Sequence, residues 1–237
     1  MVTETKLNFI NHLDELRKRI IVCLISIVIF SIIAYFISDF IIEFLTQPIR
    51  HENQNVYFFS PYEAFLIKLK ASLFGGIILS IPVLFTQIWL FISPGLYKRE
   101  KKIFIPCVVA GIFLFAAGIY FCYNFVLPFA LRFFLSFQSE TMKPLISIKE
   151  YISFTAGLLL SFGVIFNLPL ASAALTKLGV VNHIFLIRRR KIMIVIVFIV
   201  AALITPPDVF TQVVMALPLI ILYEICIVIS WFLRQKQ

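Results

Sequence analysis

The chain has 237 residues, 61% of them hydrophobic and 16% aromatic, with a formal net charge of +9 and a mean hydropathy of +1.02. Such a composition belongs to a surface that faces lipid, which excludes a water-soluble globular enzyme and points to an integral membrane protein. The cations lie at the edges of apolar runs, where they set topology, so nucleic-acid binding is not expected either.

In chain order, the first informative segment is His12-Leu13-Asp14-Glu15-Leu16-Arg17-Lys18-Arg19, set against the start of a long apolar run. Phe9, Leu13, Leu16 and Ile20 fall at helical spacing, which predicts a short amphipathic helix at the interface leading into helix 1. Acids at that boundary are electrostatically unfavourable beside anionic headgroups, so they call for a cationic partner. The local candidate is Arg19, four residues after Glu15, in a pair worth a few tenths of a kcal/mol. The first run is long, follows mixed charges and lacks a small-x-small cleavage site, so it reads as a retained helix.

Charge-free stretches then mark 20–38, 71–97, 103–131 and 151–176, followed by apolar stretches at 192–207 and 209–223 around Pro206-Pro207-Asp208. They predict a single all-α polytopic domain over 1–237 with six transmembrane helices, at about 20–38, 71–93, 103–124, 151–173, 192–206 and 209–231. The last two are expected to be short, either spanning with local bilayer thinning or forming a re-entrant hairpin. Fifteen of the 21 Lys and Arg fall on the side of the two termini, and Arg50, Lys68, Lys70, Arg132, Lys143 and Lys149 fall on the other. The positive-inside rule therefore places both termini in the cytoplasm.

Prolines remove backbone donors, so Pro48, Pro82 and Pro169 are expected kink positions, as are Pro106, Pro128 and Pro218. Ser153, Gly157 and Ser161 recur every four residues and predict a close-packing stripe on helix 4. Cys23, Cys107, Cys122 and Cys226 lie in apolar runs and read as small hydrophobes. His12, His51 and His183 are far apart, and no HExxH, GxSxG or phosphate-binding loop is present, so no catalytic, cofactor or metal site is expected.

A second acid, Glu100, stands among cations in Phe91-Ile92-Ser93-Pro94-Gly95-Leu96-Tyr97-Lys98-Arg99-Glu100-Lys101-Lys102. Together with the first motif, Ser60-Pro61-Tyr62-Glu63-Ala64-Phe65, Ser80-Ile81-Pro82 and Thr205-Pro206-Pro207-Asp208-Val209-Phe210-Thr211-Gln212, it makes a chain that closely resembles the TatC family over nearly its whole length. That family is the membrane receptor subunit of the twin-arginine protein translocase. The resemblance implies a non-enzymatic receptor and core scaffold in the bacterial inner membrane or an organellar one, energised through the assembled complex. It implies that Glu15 and Glu100 bind the paired arginines of a folded cargo's signal peptide. Leu16, Arg17, Phe91 and Leu96 stand beside those acids, the apolar ones suited to the hydrophobic part of the signal.

The resemblance also implies docking of TatA and TatB-type single-span subunits, with homo-oligomers inside a larger complex. Thr205, Asp208 and Gln212 are the expected contact groups, although Pro206-Pro207-Asp208 also reads as a tight turn. One departure is visible in Phe166-Asn167-Leu168-Pro169, where an amide stands in place of a family glutamate and offers only neutral hydrogen bonds. Two other readings compete. A secondary transporter would need ionisable groups at mid-membrane and an inverted repeat. A passive assembly anchor would need no paired acids.

Overall fold

The computed structural model describes residues 2–92, 104–139, 144–177, 179–204 and 209–234, and side chains are described from Leu13 onward except at 92, 104, 203, 204, 210 and 234. Ten α-helices and one two-stranded parallel sheet are present among them. Helix α1 (Val2–Phe36) runs unbroken from the polar N-terminal segment into the first apolar run, so the expected interfacial helix and helix 1 are one element. It packs along α3 (Glu63–Ile92). Close approach is possible because Gly76 faces Ser31: a Cβ on Gly76 would lie 2.6 Å from the Ser31 Cα.

Helix α2 (Ser38–His51) follows at once and buries Ser38, Ile41, Leu45 and Ile49, one stripe at helical spacing, against α3 and α6 (Ile148–Ile165). Pro48 sits inside α2 and supplies no N–H to the carbonyl four residues back, that of Phe44. The vacancy is filled from another helix, because the Tyr123 hydroxyl donates to Phe44 O at 2.9 Å and its ring stacks on Phe44 at 4.4 Å. Tyr151 donates to the next carbonyl, Leu45 O, at 3.0 Å from a buried position.

Tyr123 comes from a π-helical turn, Cys122–Val126, which joins α4 (Phe104–Phe121) to α5 (Leu127–Leu135). Pro128 explains the turn, since it cannot donate to Asn124 O and the widened ring lets Leu127 N reach Cys122 O instead. The apolar helix therefore continues to Leu135, some ten residues beyond the end expected at about 124.

Strands β1 (Val56–Tyr57) and β2 (Ile146–Ser147) pair in parallel and bring the loop after α2 to the loop after α5. Arg132 Nε to Glu52 at 2.8 Å and Lys68 to Asp39 at 2.9 Å lie on the same side of the molecule. Among the described residues, Arg132, Lys68 and Lys70 of the cations assigned to this side thus have partners there, Lys70 being bonded to the Ser153 hydroxyl.

Ser147 caps α6, its hydroxyl accepting from Glu150 N at 3.5 Å in an S-x-x-E sequence. The expected fourth span is two helices, α6 and α7 (Leu168–Lys177), broken at Phe166–Asn167, where Pro169 has no N–H to offer the carbonyl four residues back, that of Ile165. The expected small-residue stripe is not where the packing is tight. A Cβ on Gly157 would meet nothing within 4 Å, whereas one on Gly118 of α4 would lie 2.5 Å from the Phe162 carbonyl oxygen.

Helix α8 (His183–Arg188) is capped by Asn182, whose side-chain oxygen accepts from Phe185 N at 2.8 Å. Helix α9 (Arg190–Ile204) has 15 residues, while α10 (Val209–Arg234) has 26, so only the first of the last two helices is short. Glu224 does not end α10 because Arg190 donates to it at 2.6 Å, and the helix runs on to Arg234. α10 is held to α7 by Thr176 and Ser230, hydroxyl to hydroxyl at 3.0 Å. Among the described residues, five helical stretches are long and apolar enough to cross a membrane: Leu13–Phe36, Glu63–Phe91, Ile105–Leu135, Ile148–Lys177 and Thr211–Leu233. The chain is a multi-pass membrane protein.

Candidate functional site

The N-terminal motif forms the first turns of described side chains on α1. Asp14, Arg17 and Lys18 are exposed there, while Glu15, Leu16 and Arg19 are half-buried. Helical geometry places residue i+4 above residue i, and Arg19 uses it: its Nε donates to Glu15 Oε1 at 3.1 Å, and its Nη2 contacts the same oxygen. The local pairing expected for Glu15 is therefore formed.

Arg19 does more than close a helical pair. Its Nη1 donates to the Gln87 side-chain oxygen at 3.3 Å, which links α1 to α3 one turn before Phe91. Guanidinium is a planar fork with five donors, so one arginine can hold a carboxylate on one side and an amide on the other. The Glu15 side chain keeps 34% of its surface accessible in this arrangement, against 20% for Arg19. Both Arg19 contacts fall on Oε1.

Gln87 was not singled out by the sequence reading. The available signal was its type: it is the only amide in the charge-free run 71–97 and lies four residues before Phe91. Phe91 is half-buried at the same end of α3. Leu13 and Ile20, assigned to an apolar stripe, are 48% and 49% exposed, so that stripe is open to lipid or to a ligand. Glu100 and Leu96 lie outside the described residues, as do Thr205 and Asp208.

At the other candidate site, Gln212 of α10 donates from Nε2 to Phe198 O of α9 at 2.9 Å. Part of the hydrogen-bonding capacity expected for an external partner is thus used to join the last two helices. The same side chain lines a groove of about 440 Å³ along α9, with Ile194, Val195, Phe198, Ile199 and Ala202. Asn167, at the α6–α7 break, donates to Gly163 O at 2.9 Å, and its Oδ1 is buried with no hydrogen-bond partner among the described residues.

A family model described as Sec-independent protein translocase protein (TatC) matches residues 11–218. The Sec-independent protein translocase protein TatC of Desulforapulum autotrophicum is 44% identical, covering 95% of this chain and 84% of that protein. The protein of the same name from Carboxydothermus hydrogenoformans is also 44% identical, over 95% of this chain and 93% of its own. A crystal structure of the twin arginine translocase receptor TatC superposes with a TM-score of 0.88 at 40% identity, covering 94% of this chain and 99% of that one. The helical fold and these matches together place the chain in the TatC family of Sec-independent protein translocase components.

Proposed function

We propose that this chain is the receptor and core scaffold of a twin-arginine translocase, binding twin-arginine signal peptides of folded proteins for export. The observation that carries the proposal is the setting of Glu15, whose carboxylate is steered by Arg19 while Arg19 is braced by Gln87 of α3. Arg19 holds the Glu15 carboxylate through Oε1, by its Nε and its Nη2. An incoming guanidinium meets a carboxylate that is already oriented, which reduces the ordering entropy of binding.

In this reading Glu100 accepts the second arginine, and Phe91, Leu96, Leu16 and the exposed Leu13 and Ile20 face the apolar part of the signal. Arg17 is exposed beside the site and orients α1 at the headgroups. α9 is the fifth of six crossings, about 22 Å long at ~1.5 Å per residue, so the bilayer thins beside it. With the positive-inside count, both termini lie in the cytoplasm of a cell whose inner membrane holds the chain. TatA and TatB-type helices dock along the α9 groove, where Gln212 offers a polar contact, with Thr205 and Asp208 at the adjoining tip. Further copies of the chain join the same complex.

Crosslinkers placed at residues 15 and 100 test this. A signal peptide with paired arginines should label both positions, and its paired-lysine counterpart should label them weakly. Equal labelling by the two peptides contradicts the proposal.

A further inference from the structure

Between α3 and α4 the structure leaves an open apolar groove of about 680 Å³, within the size range of ligand sites. It is distinct from the α9 groove and from Glu15. Its walls arise from three local features of the sequence: Pro82 interrupts the α3 ladder, Ala116 is a small residue between Phe115 and the next turn of α4, and Leu79 stands 42% exposed at the rim.

Depth along the bilayer limits what can occupy it. Phe44 of α2 lines one end of the groove, and α2 carries Asp39, Glu43, Arg50 and His51, groups that belong at the headgroups and not in hydrocarbon. The groove therefore opens at the interface on the α2 side, where Tyr120, Tyr123 and Asn124 line it under Phe44. At the other end it is closed. Phe85 of α3 is seated on Gly111 of α4, so closely that a Cβ on Gly111 would lie 2.9 Å from the ring, and Phe85 meets Phe115 edge to face at 6.5 Å.

From Asn124 to Gly111 is 13 residues, or roughly 20 Å, which is about two thirds of the ~30 Å hydrocarbon core. A single-span partner helix would need a track across the full core, and this one is closed before it reaches the far side. An acyl chain is the membrane component that enters from the interface and ends inside the core. We infer that the groove between α3 and α4 is a binding site for one acyl chain of a phospholipid in the leaflet on the α2 side.

The polar groups lining the mouth are neutral: the Tyr120 and Tyr123 phenols and the Asn124 amide, which donates to Tyr120 O at 2.9 Å. Recognition is therefore of the chain and its ester region, and the headgroup charge is not read. This site does not depend on the receptor role, since it needs only the membrane setting and the α3–α4 packing.

The test uses the full chain reconstituted in vesicles of palmitoyl-oleoyl phosphatidylglycerol or of the matching phosphatidylethanolamine, extracted in detergent and weighed by native mass spectrometry. One phospholipid per chain should be retained, to the same extent from either vesicle. Ala116→Phe, which fills the groove, should lower retention at least fivefold, and Val109→Phe, on an exposed position outside it, should leave retention unchanged. No retained lipid, or equal retention in all three proteins, overturns the inference. Should Ala116→Phe fail to fold, a photoreactive residue at Leu79 decides in native membranes: a phospholipid adduct is the expected product, and a peptide adduct as the main product overturns the inference in favour of a protein occupant.

Discussion

Replacing Tyr123 by Phe keeps the ring and its stacking on Phe44 but removes the hydroxyl, which donates to Phe44 O at 2.9 Å and lies 3.2 Å from Gln47 Oε1. The carbonyl it serves is one that Pro48 has left without a helical donor. Losing that donor should cost about 1 kcal/mol, the usual scale of a hydrogen bond in a membrane protein, since the unfolded reference finds partners too. Pro48→Ala restores an N–H at the position that reaches Phe44 O, so Tyr123→Phe should cost much less in that background. The two changes are thus coupled by about 1 kcal/mol, within the range for residues sharing one partner. Equilibrium unfolding in mixed micelles of the wild type, both single variants and the double variant measures the coupling. Strict additivity would refute the reasoning, as it would mean that the Tyr123 hydroxyl does not answer the vacancy left by Pro48.

The glycines of the bundle give opposite expectations. Gly118→Ala forces a methyl to within 2.5 Å of the Phe162 carbonyl oxygen and should destabilise by about 1–3 kcal/mol, whereas Gly157→Ala meets open space in a helix and should stabilise by about 0.5–1 kcal/mol. The same unfolding assay reads both. Gln87→Leu removes the brace on Arg19 and should weaken twin-arginine peptide binding a few-fold, about 1 kcal/mol, with little change in thermal stability. Isothermal titration against thermal unfolding separates the two effects. Glu224→Gln weakens the half-exposed bond to Arg190, so it should lower stability by less than about 1 kcal/mol and leave α10 helical by circular dichroism.

How much of this was readable from the residues depends on whether a position's partner is near in sequence. Charge-free runs located the apolar cores of α1, α3, α4, α6 and α10, since hydropathy over a span is a local property. Boundaries were missed where a polar group is neutralised from far away. α3 begins at Glu63 rather than near 71 because the Glu63 carboxylate accepts from Phe59 N at 2.9 Å, Lys68 pairs with Asp39, and Lys70 reaches Ser153. The third span runs past its expected end near 124 because a π-turn carries the helix through Pro128, an expected kink position.

The same distinction holds at the candidate site. The Glu15 and Arg19 pair is an i, i+4 relation and was visible in the octet. Gln87 is joined to it across 68 positions, and an amide inside an apolar run gives no sign of which helix it faces. The stripe through Gly157 failed for a related reason: spacing shows that residues share a face, but not that another helix covers it. The short-span idea survives only for α9: the last span, expected at about 209–231, passes Glu224 as expected but forms a helix of 26 residues, long enough to cross.

The most direct test of the receptor reading is the affinity of the assembled chain for a signal peptide carrying Arg-Arg or Lys-Lys, measured for wild type and for Glu15→Gln and Glu100→Gln. Two carboxylates that each accept a guanidinium fork predict strong preference for Arg-Arg, reduced by either substitution by at least about tenfold, or ~1.4 kcal/mol, with the bundle intact. Equal affinity for the two peptides, or binding unchanged by both substitutions, would contradict it.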